Sequence, residues 1–445
     1  MTGTTLDDYT DRYAQRARGM NASEIRALFA VASRPEVVSL AGGSPYVSAL
    51  PLDAVGDMLG ELVARHGAST LQYCIGQGDL ALREVICEVM SLEGIDASVG
   101  VSPDDVVVSV GAQQALDLVA RVFLDPGDVV LAEGPTYVGA LGVFQAAQAD
   151  VVHVPMDDEG LIPEALEEAL REVSDSGRRA KFLYTVPTYH NPGGVTLPGP
   201  RREWILEICR RAGLLVLEDN PYGLLGFDAD PLPALRSMVR DGVIYLGTFS
   251  KTFSSGVRMG WVLAPHAVRE KLVIASEAQI LCPSMLSQSA VTTYFQTMPW
   301  REQLKTFRTL YAERRDAALA ALHDFMPAGT AWTHPAGGFY VWVTLPEGLD
   351  SKAMLPRAIH NRVAYVPGTG FYGDGGGRQH LRLSYCFPPP ERIRDGVRRL
   401  ATVIGEELEL RTAFGASGPF EAAEQSVPVI DGPRSAADTP PQGLA

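Results

Sequence analysis

Several stretches of this chain carry apolar residues without alternation, each bounded by a glycine or proline turn and separated by segments of helical period. In "DVVVSVGAQQALDLVARVF" (105–123) a buried strand gives way at Gly111 to a helix whose Leu116, Val119 and Phe123 share one face. "DVVLAEGPTY" (128–137) predicts a second buried strand, and "KFLYTVPTYHNPGG" (181–194) a third that ends at Pro187. "RREWILEICRRAG" (201–213) predicts a helix stopped at Gly213, followed by an apolar strand over 214–217. "VIYLGTFSK" (243–251) is one more strand of the same kind. Unbroken apolar strands between helices indicate a parallel sheet covered on both faces.

The pattern changes near residue 300. A long amphipathic helix over about 300–326 leads into "GGFYVWVTL" (337–345) and "HLRLSYCF" (380–387), which read as strands of a smaller α+β region. The stretch 411–445 is rich in Pro, Ala, Gly and Ser, has little apolar periodicity, and reads as a disordered tail.

Composition narrows the function. The chain has 445 residues, 20% of them charged, and a net charge of −15, which argues against a nucleic-acid or anionic-membrane partner. No apolar run approaches the roughly 20 residues of a membrane span, and the N-terminus lacks the apolar core of a secretory signal. Cys74, Cys87, Cys209, Cys282 and Cys386 form no CxxC pair, no HExxH occurs, and no zinc spacing is present. The expectation is a cytoplasmic protein with reduced thiols and no metal site.

Polar residues gather where the apolar strands end, which is where open α/β sheets bind ligands. Gly111, Ala112 and Gln113 open a helix, and its free N–H groups suit a phosphate. Asn191 follows the third strand; Asp219 and Tyr222 follow the next; Thr248, Ser250, Lys251 and Arg258 follow the last. Taken singly, each has a plainer reading. Lys251 could be a loop charge, Asp219 a turn cap, and Asn191-Pro192-Gly193 simple turn chemistry. Together they match pyridoxal 5'-phosphate, whose aldehyde needs an amine, whose ring nitrogen needs a carboxylate, and whose phenolic oxygen needs donors. Lys251 would form the Schiff base. The chain has only five lysines beside thirty-three arginines, and an arginine cannot make an imine. Asp219 would hold the ring nitrogen, Asn191 and Tyr222 the ring oxygen, and Arg258, Thr248 and the 111–113 turn the phosphate.

"VGAQQALDLVARVFLDPGD", "EGPTYVGAL", "PTYHNPGGVTL", "EDNPYGLL", "GTFSKTFSSGVRMGW" and "LRLSY" resemble, in order, the motifs of fold-type I pyridoxal-phosphate aminotransferases. The nearest subgroup looks like the 2-aminoadipate, aromatic and kynurenine-type enzymes, and residues 19–45 resemble its N-terminal segment. This resemblance implies an α/β fold: a large domain (55–300) with a mostly parallel seven-stranded sheet and helices on both faces, and a small α+β domain (301–410) joined by residues 1–54. It implies a homodimer with shared sites, in which Tyr73 reaches the neighbouring subunit's phosphate. It further implies that Tyr137 stacks on the cofactor, that Arg382 binds the substrate carboxylate, and that Gly43 and Arg26 lie beside the substrate, Asn191 with them. The reaction implied moves an amino group from an α-amino acid to a 2-oxo acid such as 2-oxoglutarate, in a ping-pong scheme.

The chain departs from the pattern at Ala112, where relatives usually carry a hydroxyl, and at "NPGG" in place of "NPTG". His190 and Asn220 border the expected pocket and are candidates for altering substrate choice. A lyase, decarboxylase or oxidase on the same fold would share nearly every cofactor contact. Transcription regulators with this domain carry a DNA-binding domain ahead of it, which the short stretch before residue 19 and the acidic charge oppose.

Overall fold

The computed structural model describes residues 9–18 and 34–414. Its central sheet has eight strands in the order β2-β9-β8-β7-β6-β3-β4-β5. These are β2 (Val106–Ser109), β3 (Val129–Gly134), β4 (Asp150–Asp157), β5 (Gly160–Leu161), β6 (Ala180–Thr185), β7 (Leu215–Asp219), β8 (Val243–Thr248) and β9 (Gly260–Leu263). β1 (Val38–Ser39) lies in a separate two-stranded pair. The eighth strand, against the seven expected, is the two-residue β5, too short to leave a sequence signal.

Both faces of the sheet are buried, which is why its strands read as continuous apolar runs. Along β3, Val130 and Ala132 pack beneath helices Ala112–Phe123 and Val138–Ala146. Val129 and Leu131 point the other way, toward helices Pro163–Asp175 and Gly199–Ala212. Pleating alone divides one apolar run between two cores.

β9 escaped the sequence reading, and it shapes the site. It runs antiparallel to both neighbours, with Gly260 opposite Thr248 of β8 and Ser109 of β2. Its start therefore lies on the rim where β8 and β2 end. Residues 249–259 form an excursion pinned at its base by Phe249 N–H donating to the Met259 carbonyl (3.1 Å). Lys251 and Arg258 both ride on it.

A smaller antiparallel sheet has the order β10-β11-β14-β13, from Ala331–Trp332, Tyr340–Thr344, His380–Ser384 and Val366–Pro367. Helices Trp300–Phe325 and Pro390–Ala413 pack against each other and this sheet. The second helix continues to Ala413, into the stretch read as tail; from residue 415 the tail lies outside the described residues. β1 pairs in parallel with β12 (Val363–Ala364), and Val38 and Leu40 enter the small sheet's core. The chain then runs directly to residues 41–44 in the cleft between the sheets. Among the described residues no helix is long and apolar enough to cross a membrane.

Leu40 is wholly packed, so Leu40→Ala leaves a void where β1 meets the small sheet. The expected loss is about 2–4 kcal/mol, measured as a lower urea midpoint at unchanged m-value.

Candidate active site

A cavity of about 630 Å³ opens at the carboxyl rim of the large sheet, lined there by Asn191, Asp219, Tyr222, Thr248, Ser250, Lys251 and Arg258. The opposite wall comes from Gly43, Tyr340 and Arg382, and the mouth from Ala112, Gln113 and Tyr137. Strand ends gathered from distant parts of the sequence thus converge on one space, as the reading of the sequence expected.

The Lys251 amine donates to the Gly43 carbonyl (3.0 Å) and lies 5.5 Å from the Phe339 ring centre and 5.9 Å from that of Tyr222. Burial pushes its pKa down to about 8; the Cys386 thiol opposes this, while Arg382 and Arg258 add to it. Asp219 is buried, and burial raises its carboxyl to about 6 against the lowering effect of Tyr184, whose hydroxyl donates to Oδ2 at 2.8 Å. The other oxygen, Oδ1, is buried with no hydrogen-bond partner among the described residues. A carboxylate oxygen sealed from water and unpaired is costly unless a ligand supplies the donor.

At one end of the cavity the parts of an anion site meet. Gly111 takes φ +76° at the start of helix Ala112–Phe123, and a side chain there would strike the Arg258 guanidinium. Arg258 Nη1 lies 3.4 Å from the Ser250 hydroxyl, which sits 2.9 Å from that of Thr248. Free helix N–H groups, a guanidinium and two hydroxyls suit a phosphate. Ser250 was not assigned a role from sequence; its place between Thr248 and Lys251 was the available signal. Ala112 lines the cavity without a hydroxyl.

At the other end Arg382 is buried, with Nη1 donating to Asn191 Oδ1 (2.9 Å) and Nη2 to the Ala41 carbonyl (2.8 Å). Its Nε has no partner among the described residues. Its guanidinium carbon lies 4.1 Å from the Tyr340 ring centre and 5.0 Å from that of Phe371. Tyr340, whose hydroxyl is 3.4 Å from that of Tyr222, was missed by sequence reasoning. It sits in a strand where an aromatic residue signals only core.

Other placements differ from expectation. His190 faces away from the cavity: Nδ1 accepts the Gly193 N–H (3.0 Å) and Nε2 lies 3.2 Å from buried Glu133. Asn220 also turns away, toward Glu93. Neither borders the pocket, because local polar partners behind the sheet rim hold both. Tyr137 lies at the mouth, its hydroxyl 3.4 Å from Gln113 Oε1. Tyr73 is 75% exposed and outside this cavity. Arg26 lies outside the described residues.

Asp219 yields a pH prediction. Its carboxyl is raised in the folded chain, so the folded form holds the proton more tightly and stability falls as pH climbs from about 4 to about 6. Ligand-free Asp219→Asn escapes this loss. It should exceed the wild type in stability at pH 7.5 by of the order of 2–3 kcal/mol and match it near pH 4 in urea titrations.

An amine, an orphaned carboxylate oxygen, an anion cradle and a free guanidinium edge fit pyridoxal phosphate together with an amino acid. Comparison with known proteins agrees. Residues 35–400 match the family described as "Aminotransferase class I and II". The chain is 41% identical over 404 residues to aromatic-amino-acid aminotransferase 1 of Thermococcus litoralis, covering 90% of this chain and 96% of that one. It is 36% identical to the 2-aminoadipate transaminase of Thermus thermophilus, covering 90% and 98%. The solved structure of Pyrococcus horikoshii kynurenine aminotransferase superposes with a TM-score of 0.86 at 39% identity, covering 91% of this chain and all of that one. The chain belongs to the class I and II aminotransferases and takes pyridoxal phosphate as its cofactor.

Proposed function

We propose that this aminotransferase runs a ping-pong exchange between a bulky α-amino acid and a 2-oxo acid, 2-oxoglutarate being the favoured acceptor. The buried, unpartnered Oδ1 of Asp219 in one cavity with the Lys251 amine carries the reading. Pyridoxal phosphate supplies an aldehyde that captures amines and a ring that takes up electrons when the α-proton leaves. Asp219 Oδ1 accepts the ring N–H, and gaining that cationic partner favours its ionised form. Tyr222 donates to the ring oxygen, as does Asn191 through Nδ2, its Oδ1 being held by Arg382. Arg258, Thr248, Ser250 and the N–H groups at Ala112 and Gln113 hold the phosphate, and Tyr137 covers the ring.

Lys251 Nζ moves the substrate proton. An amine titrating near 8 is partly unprotonated at neutral pH, as a general base requires. Arg382 receives the substrate carboxylate through its free Nε edge. Gly43 borders the same space, and its carbonyl accepts from the free Lys251 amine. A large donor side chain is supported by the relatives named for aromatic amino acids, 2-aminoadipate and kynurenine.

The cofactor site is completed by a second copy of the chain. Tyr73 lies in an exposed apolar strip with Leu71, Ile75, Leu80 and, across the Cys74–Pro283 contact, Leu281. A homodimer through this face puts Tyr73 at the partner's phosphate. The acidic chain and its five free cysteines support a cytoplasmic setting.

Lys251→Ala should fold yet lack the visible absorption of lysine-bound cofactor and lose turnover; retention of both would refute the assignment. Arg382→Gln should raise KM for donor and acceptor alike by about a hundredfold, with the cofactor spectrum intact. Ile75→Asp should yield monomers in sedimentation that bind pyridoxal phosphate weakly. Amino acids that bleach the enzyme without an oxo acid identify the donor, and turnover that continues without any acceptor would exclude transamination.

A further inference from the structure

Glu93 sits 4% exposed on the turn after helix Leu80–Ser91, far in sequence from Asp219, Tyr222 and Lys251. Its Oε1 accepts from Asn220 Nδ2 at 2.6 Å and its Oε2 from the Tyr245 hydroxyl at 2.9 Å. Its backbone carbonyl accepts from Ala234 N–H. Gly223 lies hard against the same carboxylate: a side chain at 223 would come within 1.7 Å of Oε1. The glycine in "EDNPYGLL" is explained by that contact.

Asn220 and Gly223 bracket the turn between Asp219 and Tyr222. Tyr245 belongs to β8, the strand that delivers Lys251. One carboxylate therefore ties the turn after β7 to the middle of β8 from behind the sheet rim, outside the cavity. Such an arrangement is expensive. Burial raises Glu93 to about 7, with Tyr245, Asn220 and Arg202 lowering it and Glu218 raising it further. An apolar side chain would fill this space without a desolvation cost, so packing alone does not account for it.

We propose that Glu93 is a positioning residue for the reaction: it sets the aim of Asp219 and Tyr222 at the cofactor ring relative to Lys251. This rests on the roles given above to those three residues. A buried carboxyl whose two oxygens are each held by a hydrogen bond keeps direction better than apolar contacts, and cofactor geometry tolerates little drift. Asn220 transmits the constraint, and Gly223 keeps the turn close enough to receive it.

The test compares Glu93→Gln, Glu93→Leu and Asn220→Ala with the wild type as apoenzymes reloaded with pyridoxal phosphate. Three quantities are read: the dissociation constant of the cofactor, the pH midpoint of its visible absorption, and the thermal midpoint of the apo form. Glu93→Leu and Asn220→Ala should weaken cofactor binding about tenfold and displace the spectral midpoint. Glu93→Gln, which keeps one acceptor oxygen, should fall between them and the wild type. If Glu93→Leu does not fold, Asn220→Ala decides the matter. A lower thermal midpoint with unchanged binding and spectrum would make Glu93 a fold element only and overturn the proposal while leaving the site assignment standing. A wild type that shows no lysine-dependent absorption at all would overturn both.

Discussion

A half-buried lysine amine and an aspartate oxygen sealed from water, neither paired with an opposite charge among the described residues, are what this structure is built around. Lys251 meets a carbonyl and two aromatic rings, and Asp219 meets one tyrosine hydroxyl. Both ionisable groups pay for burial with shifted titration. Their proximity to one cavity means a ligand carrying an aldehyde and a basic nitrogen relieves both at once. Stability is surrendered at the place where chemistry needs reactive groups, the signature of a functional site rather than of a core.

The rest of the large sheet serves to hold that place still. Parallel strands bring their carboxyl ends to one rim, which accounts for Asn191, Asp219 and Thr248. Parallel strands alone would not return Arg258 to the rim beside Lys251. The antiparallel β9 does so, because its first residue pairs with the last residues of both β8 and β2. The anion cradle thus depends on a hairpin-like excursion whose two ends are fixed by sheet hydrogen bonds, while its polar side chains remain free to face a ligand.

Much of this was legible in the chain. The unbroken apolar runs of β2, β3, β6, β7 and β8 predict a doubly covered sheet, and short polar motifs follow each at the right end. What stayed hidden had weak local signals. β5 is two residues long, too short for apolar periodicity to show, and β9, no shorter than β2, opens on a glycine and follows the 249–259 excursion rather than a helix. Tyr184 and Tyr340 occupy apolar strands where aromatic residues usually mean packing, and only the fold brings their hydroxyls to the site. His190 and Asn220 adjoin cavity residues in sequence, yet His190 holds its own turn through Gly193 and Asn220 serves Glu93 behind the rim. Adjacency along the chain placed them correctly on the loops and said nothing of which way they point.

The cavity also belongs to no single part of the fold. Residues 41–43 follow a strand that pairs with β12 on the small-sheet side, and they contribute two carbonyls. Ala41 receives Arg382 and Gly43 receives Lys251. Arg382 in turn reaches across to Asn191 on the large-sheet side. The free Nε edge of Arg382 faces a substrate carboxylate while Nη1 keeps Asn191 and Nη2 keeps the Ala41 carbonyl. The Lys251 amine and the Arg382 guanidinium are therefore each tied to the same three-residue segment. Residues 41–43 thereby carry the small-sheet side of the fold into both ends of the cavity.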